Sequence, residues 1–197
     1  MSQHNSRKII LGSTSPFRKE LLQRFNTPFA TAAPDIDETP KPNESPEAYV
    51  KRLSLEKAQA VAKSHPDALI IGSDQCSVLN DIIRGKPGNH ENAIQQLTES
   101  SGQRVSFLTG LCLYDAKDES YQLDMVPYHV DFRELSASEI ESYLNQEKPY
   151  SCAGSFKSEG LGITLFKQLN GDDPSSLVGL PLIRLSAMLR NKGLLLP

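Results

Sequence analysis

The chain lacks the features that would tie it to a membrane, a disulfide framework or a polyanion. No apolar run approaches the roughly 20 residues needed to cross a bilayer. The opening MSQHNSRKIILGS returns to polar residues too soon for the apolar region of a signal peptide. The three cysteines, Cys76, Cys112 and Cys152, are odd in number and far apart, with no C-x-x-C. That argues against disulfides and against a zinc site, so they are expected to be reduced core thiols. His4, His65, His90 and His129 are as scattered, and neither H-E-x-x-H nor a His-based triad can be read from their spacing. There is no G-x-x-x-x-G-K-[ST], and Gly160-Leu161-Gly162 lacks the third glycine of a dinucleotide fingerprint. Ser54-Leu55-Glu56-Lys57 matches S-x-x-K, but no K-T-G follows, which sets a penicilloyl-serine type of site aside. Lys plus Arg at 21 against Asp plus Glu at 24 leaves net charge -3. No global positive field recruits nucleic acid or an anionic membrane, so any anion must be met by a local cluster. The reading is a cytoplasmic protein.

What is present is ordinary globular composition: 197 residues, 38% hydrophobic and 23% charged. Strand and helix patterns alternate, without repeats, heptads or low-complexity stretches. Lys8-Ile9-Ile10-Leu11 is strand-like and stops at Gly12-Ser13-Thr14-Ser15. A helix follows, with Ser15 as N-cap, Pro16 in its first turn, and Phe17, Leu21, Leu22 and Phe25 on one face. A second strand is expected from Pro28 to Ala33, then a proline- and acid-rich loop, then a helix from Ser45-Pro46 to about Ser64. Ala68 to Gly72 is continuously apolar and reads as a buried strand that breaks at Gly-Ser-Asp. Downstream, Glu91 to Thr98 is helical, and the runs 104–114 and 121–132 are antiparallel neighbours. Ser136 to Glu139 is a capping box before Ile140, Tyr143 and Leu144. Residues 149–162 are irregular, 163–169 a strand, and Pro181 to Asn191 the closing helix. The expected fold is α/β with a mixed sheet, in two lobes around a cleft.

Ligands of α/β sheets gather where strands end in polar loops, and four such places stand out. Ser13-Thr14-Ser15-Pro16-Phe17-Arg18 is either a phosphate cradle at a helix N-terminus or simply a well-capped helix with a surface arginine. Asp35-Ile36-Asp37-Glu38 is either a site for a hard divalent cation or a solvated acidic loop. Asp74, in Gly72-Ser73-Asp74-Gln75, is either a structural cap or a metal ligand or general base. Lys86, in Gly85-Lys86-Pro87, is either a pinned cation or a plain hairpin residue. Lys57 adds a cation within the second helix, where a solvated face is the default reading.

In this order, Ser-Thr-Ser-Pro-x-Arg, Asp-Glu-Thr-Pro, Glu-Lys-Ala, Gly-Ser-Asp and Gly-Lys-Pro resemble the Maf family of nucleoside triphosphate pyrophosphatases from Ile9 to about Lys192. Ser73-Asp74-Gln75 and the stretch Cys152 to Gly160 look like the subgroup acting on 7-methyl-GTP. The subgroup acting on dTTP and UTP usually has Ser-Asp-Thr at the first of these places. The family's common Arg-Arg is Phe17-Arg18 here, as suits the aromatic of the 7-methyl-GTP subgroup, and Cys76, Ser77 and Gly88 replace more usual apolar residues.

The resemblance implies a Maf- or ITPase-like fold with a strongly twisted sheet. It implies one domain over residues 1–197, with 1–7 and 193–197 flexible. The activity implied is hydrolysis of 7-methyl-GTP to 7-methyl-GMP and pyrophosphate. A divalent cation (Mg²⁺, Mn²⁺ or Co²⁺) is implied as cofactor, no nucleic-acid or membrane partner is implied, and a homodimer is compatible. Residue by residue, Asp74 is the implied proton acceptor; Phe17, Gln75 and Glu159 set base specificity; Ser13, Arg18, Lys57 and Lys86 bind phosphate; Glu38 and Asp74 hold the metal. A carboxylate is a weak base at neutral pH, so a cation that acidifies the attacking water is essential to this scheme. Two other readings stand beside it: a pyrophosphatase for another nucleotide, and a nucleotide-binding regulator of septum formation without significant turnover.

Overall fold

The run Ile9–Gly12 forms a fully buried strand, β1, paired in parallel with β2 (Phe29–Ala32) on one side and β3 (Leu69–Leu79) on the other. The chain is seen here in a computed structural model that describes residues 7–194. The crossovers are α1 (Pro16–Gln23) and α2 (Pro46–Ala62), and both begin as their sequences dictate. Ser15 and Ser45 accept from the backbone N–H three residues on, with proline in the first turn. Beyond β3 the sheet turns antiparallel through β4 (Ile82–Arg84), β5 (Arg104–Asp115), β6 (Tyr121–Phe132) and β7 (Phe166–Asn170). The order is β2-β1-β3-β5-β6-β7, with β4 paired to β3. Helices α3 (His90–Ser100), α4 (Ala137–Glu147), α5 (Pro174–Val178) and α6 (Leu182–Asn191) flank this mixed sheet, giving the α/β class expected.

Alternation along the strands decides which helix meets which face. Ile9, Leu11, Leu69, Ile71, Leu111 and Leu113 pack on Leu21 and Leu22 of α1 and on Leu185, Met188 and Leu189 of α6. Ile10, Ile70 and Cys112 face Ala58 and Val61 of α2. A separate core holds Val105, Phe107, Tyr128, Val130 and Phe132 with Ala93 and Leu97 of α3 and Ile140, Tyr143 and Leu144 of α4. β3 and β5 contribute residues to both ends, so the two lobes share continuous strands. α2 lies unusually close to the sheet because two glycines admit it. A Cβ on Gly72 would sit 2.0 Å from the Ser54 carbonyl, and one on Gly110 2.3 Å from the Val50 carbonyl.

Several sequence expectations change. β3 does not break at Gly72 but continues to Leu79, because β5 pairs with it throughout Leu69–Val78. The hairpin turn after β3 is Asn80-Asp81, both at positive φ, and Lys86 lies in the loop from β4 to α3 instead. The strand expected at 163–169 is β7 at Phe166–Asn170, preceded by a 3₁₀ turn over Leu161–Leu165. The closing helix is preceded by a short extra one, α5, whose N-cap Asp173 accepts from the Ser175 N–H and, through Oδ2, from the Ile183 N–H at 2.8 Å. Cys76 and Cys112 are buried thiols, whereas Cys152 is half-buried. The expectation of flexible ends falls mostly outside the described residues. Among those residues, no helix is long and apolar enough to cross a membrane.

Candidate active site

One edge of β3 is interrupted, and the site sits at the interruption. Leu69–Gly72 pair with β1 and Ser77–Leu79 with β4, so on that edge Ser73 to Cys76 have no strand partner. β1 has ended at Gly12, and the chain turns away into Ser13–Ser15 and α1. The result is a cleft of about 470 Å³ between the two lobes, within the size range of small-molecule sites, roughly 300–1,000 Å³.

Asp74 projects from the gap toward α2. Its backbone N–H, left without a strand partner, donates to Ser54 Oγ at 3.0 Å, while Ser54 Oγ itself donates to the Val50 carbonyl. One turn further along α2, the buried Lys57 places Nζ 2.6 Å from Asp74 Oδ1 and 2.9 Å from Glu38 Oε1. Two carboxylates brought by separate segments thus converge on one ammonium. The acidic loop is tied down by Tyr49, whose hydroxyl donates to the Glu38 carbonyl at 3.1 Å. Burial, with the charges of Asp74 and Glu38 adding to it, pushes the Tyr49 phenol up to about 12. Burial likewise pushes the neighbouring Cys76 thiol up to about 12, so Cys76 is no thiolate nucleophile.

The donor set fits a hard cation only in part from protein. Among the described residues there is no group of three or more His, Cys, Asp or Glu side chains placed to hold a metal ion. Two carboxylates meeting at one point are nevertheless the protein share usual for Mg²⁺, whose remaining ligands are phosphate oxygens and water. In this structure the Lys57 ammonium occupies their meeting point.

The wall made by Ser13 to Arg18 carries hydroxyls and a guanidinium. Ser13 is buried and its Oγ accepts from the Ser15 N–H at 3.1 Å. Arg18 Nε donates to the Gly179 carbonyl at 2.7 Å, and the same oxygen accepts from Ser73 Oγ at 3.0 Å. Desolvation lowers the Arg18 pKa, opposed by Asp74 and Glu38, but a guanidinium stays charged regardless. Its Nη atoms are left to meet a ligand. Phe17, expected on the apolar face of α1, lines the cleft instead and belongs to none of the three cores.

Gln75 points to the other face of β3, under α5. Its Nε2 donates to Thr109 Oγ1 at 3.0 Å and to the Ser176 and Leu177 carbonyls at 2.8 and 3.1 Å. Oε1 is therefore the atom Gln75 has left to present to the cleft. The opposite wall holds Lys86, Lys148, Ser151 to Ala153 and Phe156 to Glu159. Five cations line the cleft against one carboxylate, Glu159. The structure so gathers Ser13, Phe17, Arg18, Lys57, Gln75, Lys86 and Glu159 around one space, with Asp74 and Glu38 joined to it through Lys57. Sequence reading singled out neither Lys148, which carries no motif, nor Lys157, which lies within the Cys152 to Gly160 stretch but has no assigned role in it. It also missed Ser54, whose role comes from lying one turn before Lys57.

A mixed α/β sheet opened at one strand edge into a cation-lined cleft defines the class. A family model described as Maf-like protein matches residues 8–192. The chain belongs to the Maf-like protein family. It is 53% identical over 186 residues to a protein of Colwellia psychrerythraea named 7-methyl-GTP pyrophosphatase, covering 94% of this chain and 93% of that one. A protein of the same name from Aromatoleum aromaticum is 55% identical over 190 residues, covering 96% and 98%. The solved structure of the Staphylococcus aureus Ham1 protein aligns at TM-score 0.44 and 13% identity over 65% of this chain and 73% of that chain, too slight a likeness to carry an argument.

Proposed function

We propose that this chain hydrolyses 7-methyl-GTP to 7-methyl-GMP and pyrophosphate. The observation that carries the reading is the convergence of Asp74, Lys57 and Glu38 at the edge of a cleft lined by five cations, in a chain more than half identical to proteins of that name. A triphosphate brings about four negative charges, and the barrier to hydrolysis falls when these are neutralised and the attacking water is positioned in line. Arg18 and Lys86 neutralise, Lys57 offsets the Asp74 and Glu38 carboxylates that would otherwise repel the triphosphate, and the Ser13 hydroxyl adds a polar contact. Lys57 fixes the Asp74 carboxylate through Oδ1, which leaves Oδ2 to take the water's proton. The water oxygen bonds to the α-phosphorus as the bond to the bridging oxygen breaks, and pyrophosphate leaves. A divalent cation held by Glu38 and Asp74 with phosphate oxygens would supply further charge neutralisation and a more acidic water.

Base choice rests on Phe17, Gln75 and Glu159. Methylation of the guanine imidazole makes the ring cationic, and an aromatic face stacks well on a cation. Gln75 Oε1 and the Glu159 carboxylate are acceptors, matched to the N–H donors of the guanine edge. We read the two lobes as one domain because β3 and β5 serve both. The unpaired cysteines and the nucleotide substrate support a cytoplasmic setting, and net charge -3 gives no reason to invoke nucleic acid or membrane. A homodimer is compatible with this reading.

The test is pyrophosphate release across a panel of nucleoside triphosphates including 7-methyl-GTP, with magnesium, manganese and cobalt compared. Highest kcat/KM for 7-methyl-GTP, dependent on added cation, is expected. Preference for another nucleotide would move the assignment to that substrate. A nucleotide-induced thermal shift without pyrophosphate release would favour a regulator.

A further inference from the structure

Glu147, the last residue of α4, is not among the residues lining the cleft, yet it organises the loop that is. Its Oε2 accepts from the Leu161 N–H at 2.8 Å, and Lys157 Nζ donates to its Oε1 at 3.2 Å and to its carbonyl at 3.1 Å. The Leu161 amide, with Lys157 adding, holds the Glu147 carboxyl below its ordinary value, so it is ionised at neutral pH. The loop closes tightly over this carboxylate: a Cβ on Gly160 would lie 2.8 Å from Glu147 Oε2. Between the two anchored points, Lys157 and Leu161, sits Glu159.

Lys157 and Glu159 both line the cleft, two positions apart and opposite in charge. An unpaired Lys157 would cancel Glu159 as seen by a cationic base. Lys86 and Lys148, on the same wall, have no carboxylate partner within 4.0 Å among the described residues, so the wall as a whole is cationic and Glu159 can present a negative charge only locally; the pairing of Lys157 sets the charge of its own loop. We propose that Glu147 is a specificity-determining residue that acts through Lys157: by neutralising that ammonium it leaves Glu159 as the net charge the loop turns toward the methylated, cationic base. The inference rests on the reading above that Glu159 meets the base.

The experiment measures kcat/KM for 7-methyl-GTP and GTP, at mildly acidic pH so that the guanine N1 proton is kept, in wild type, Glu147→Gln, Lys157→Met and the double variant. Glutamine keeps an acceptor for the Leu161 amide and removes only charge. The ratio of the two kcat/KM values is expected to fall about threefold to tenfold in Glu147→Gln, as one uncompensated charge near a second in a partly solvated cleft requires. It should rise in Lys157→Met and return near the wild-type ratio in the double variant. Lys157→Met leaves the Glu147 to Leu161 bond in place, so it tests the idea even if Glu147→Gln fails to fold. A double variant as poor as Glu147→Gln, or equal losses on both substrates, would make Glu147 a mere loop anchor and overturn the inference. A wild type without preference for the methylated base overturns the substrate reading itself, and the inference falls with it.

Discussion

Lys57 Nζ lies 2.6 Å from Asp74 Oδ1 across 17 positions of sequence, and Gly72 makes the contact possible. Gly72 shares its sheet face with Asp74, and its bare Cα lets the Ser54 carbonyl of α2 come down onto the strand. Ser54 then meets the Asp74 amide, and Lys57, one turn on, meets the carboxylate.

Gly72→Ala is therefore expected to damage stability and turnover together. The new Cβ would stand 2.0 Å from a backbone oxygen, and overpacking of this kind costs about 1–3 kcal/mol or more. Urea denaturation and pyrophosphate release on the same preparation check it; an unchanged midpoint would show that α2 can move away freely.

Asp74→Asn keeps the volume and an acceptor for Lys57 but can neither take a proton nor carry charge. Turnover should fall by about 10² to 10⁴, the usual loss of a general base, with the circular dichroism spectrum unchanged. Retention of more than about a tenth of wild-type turnover would remove Asp74 from the role of base.

Arg18→Ala and Lys86→Ala should weaken every triphosphate alike, since neither contact reads a base. A charged hydrogen bond to phosphate is worth roughly 1.5–3 kcal/mol, about 10- to 150-fold. Lys86 is exposed and belongs at the low end; Arg18, braced on the Gly179 carbonyl, belongs at the high end. Loss confined to one base in a substrate panel would contradict the assignment.

Phe17→Ala should lower kcat/KM for 7-methyl-GTP about 2- to 30-fold more than for GTP, the range expected of a cation over an aromatic face. Because Phe17 lies outside all three cores, the melting temperature should barely move. A large thermal shift with selectivity intact would make it a packing residue.

Glu44 anchors the acidic loop to α2 through a two-pronged contact with Arg52, at 2.6 and 2.7 Å, and accepts from the Lys41 N–H. The Arg52 hydrogen bond lowers its pKa from an ordinary 4.5 to about 2. A depressed carboxylate stabilises the folded state above its unfolded pKa and ceases to as pH falls through its folded value. The stability gap between wild type and Glu44→Gln should be full above about pH 4.5 and should close as the pH nears about 2. Parallel urea midpoints across that window would argue against the pairing.

Local chemistry was legible in the sequence wherever one segment sufficed to settle it. The caps at Ser15, Ser45 and Ser136, the run of β1 and the long extended runs of β5 and β6 all depend on neighbours within a few residues, and each forms as read. The motifs around Arg18, Asp74, Lys86 and Glu159, each ambiguous alone and joined in sequence by the family resemblance, line one cleft or adjoin it through Lys57. Tertiary structure decided what depends on partners distant in sequence. β3 passes through Gly-Ser-Asp only because β5 supplies hydrogen bonds along its other edge. Phe17, one turn before Leu21 on the same side of α1, borders the cleft where Leu21 reaches the core, and Lys148 and Lys157 join the site because the loop after α4 forms its opposite wall. The Glu38 and Asp74 carboxylates meet at Lys57 because two glycines, Gly72 within Gly-Ser-Asp and Gly110 in no motif, let a helix rest on the sheet. A pattern in sequence records what a residue prefers among its neighbours. Which distant groups it meets is set by how closely whole elements can approach.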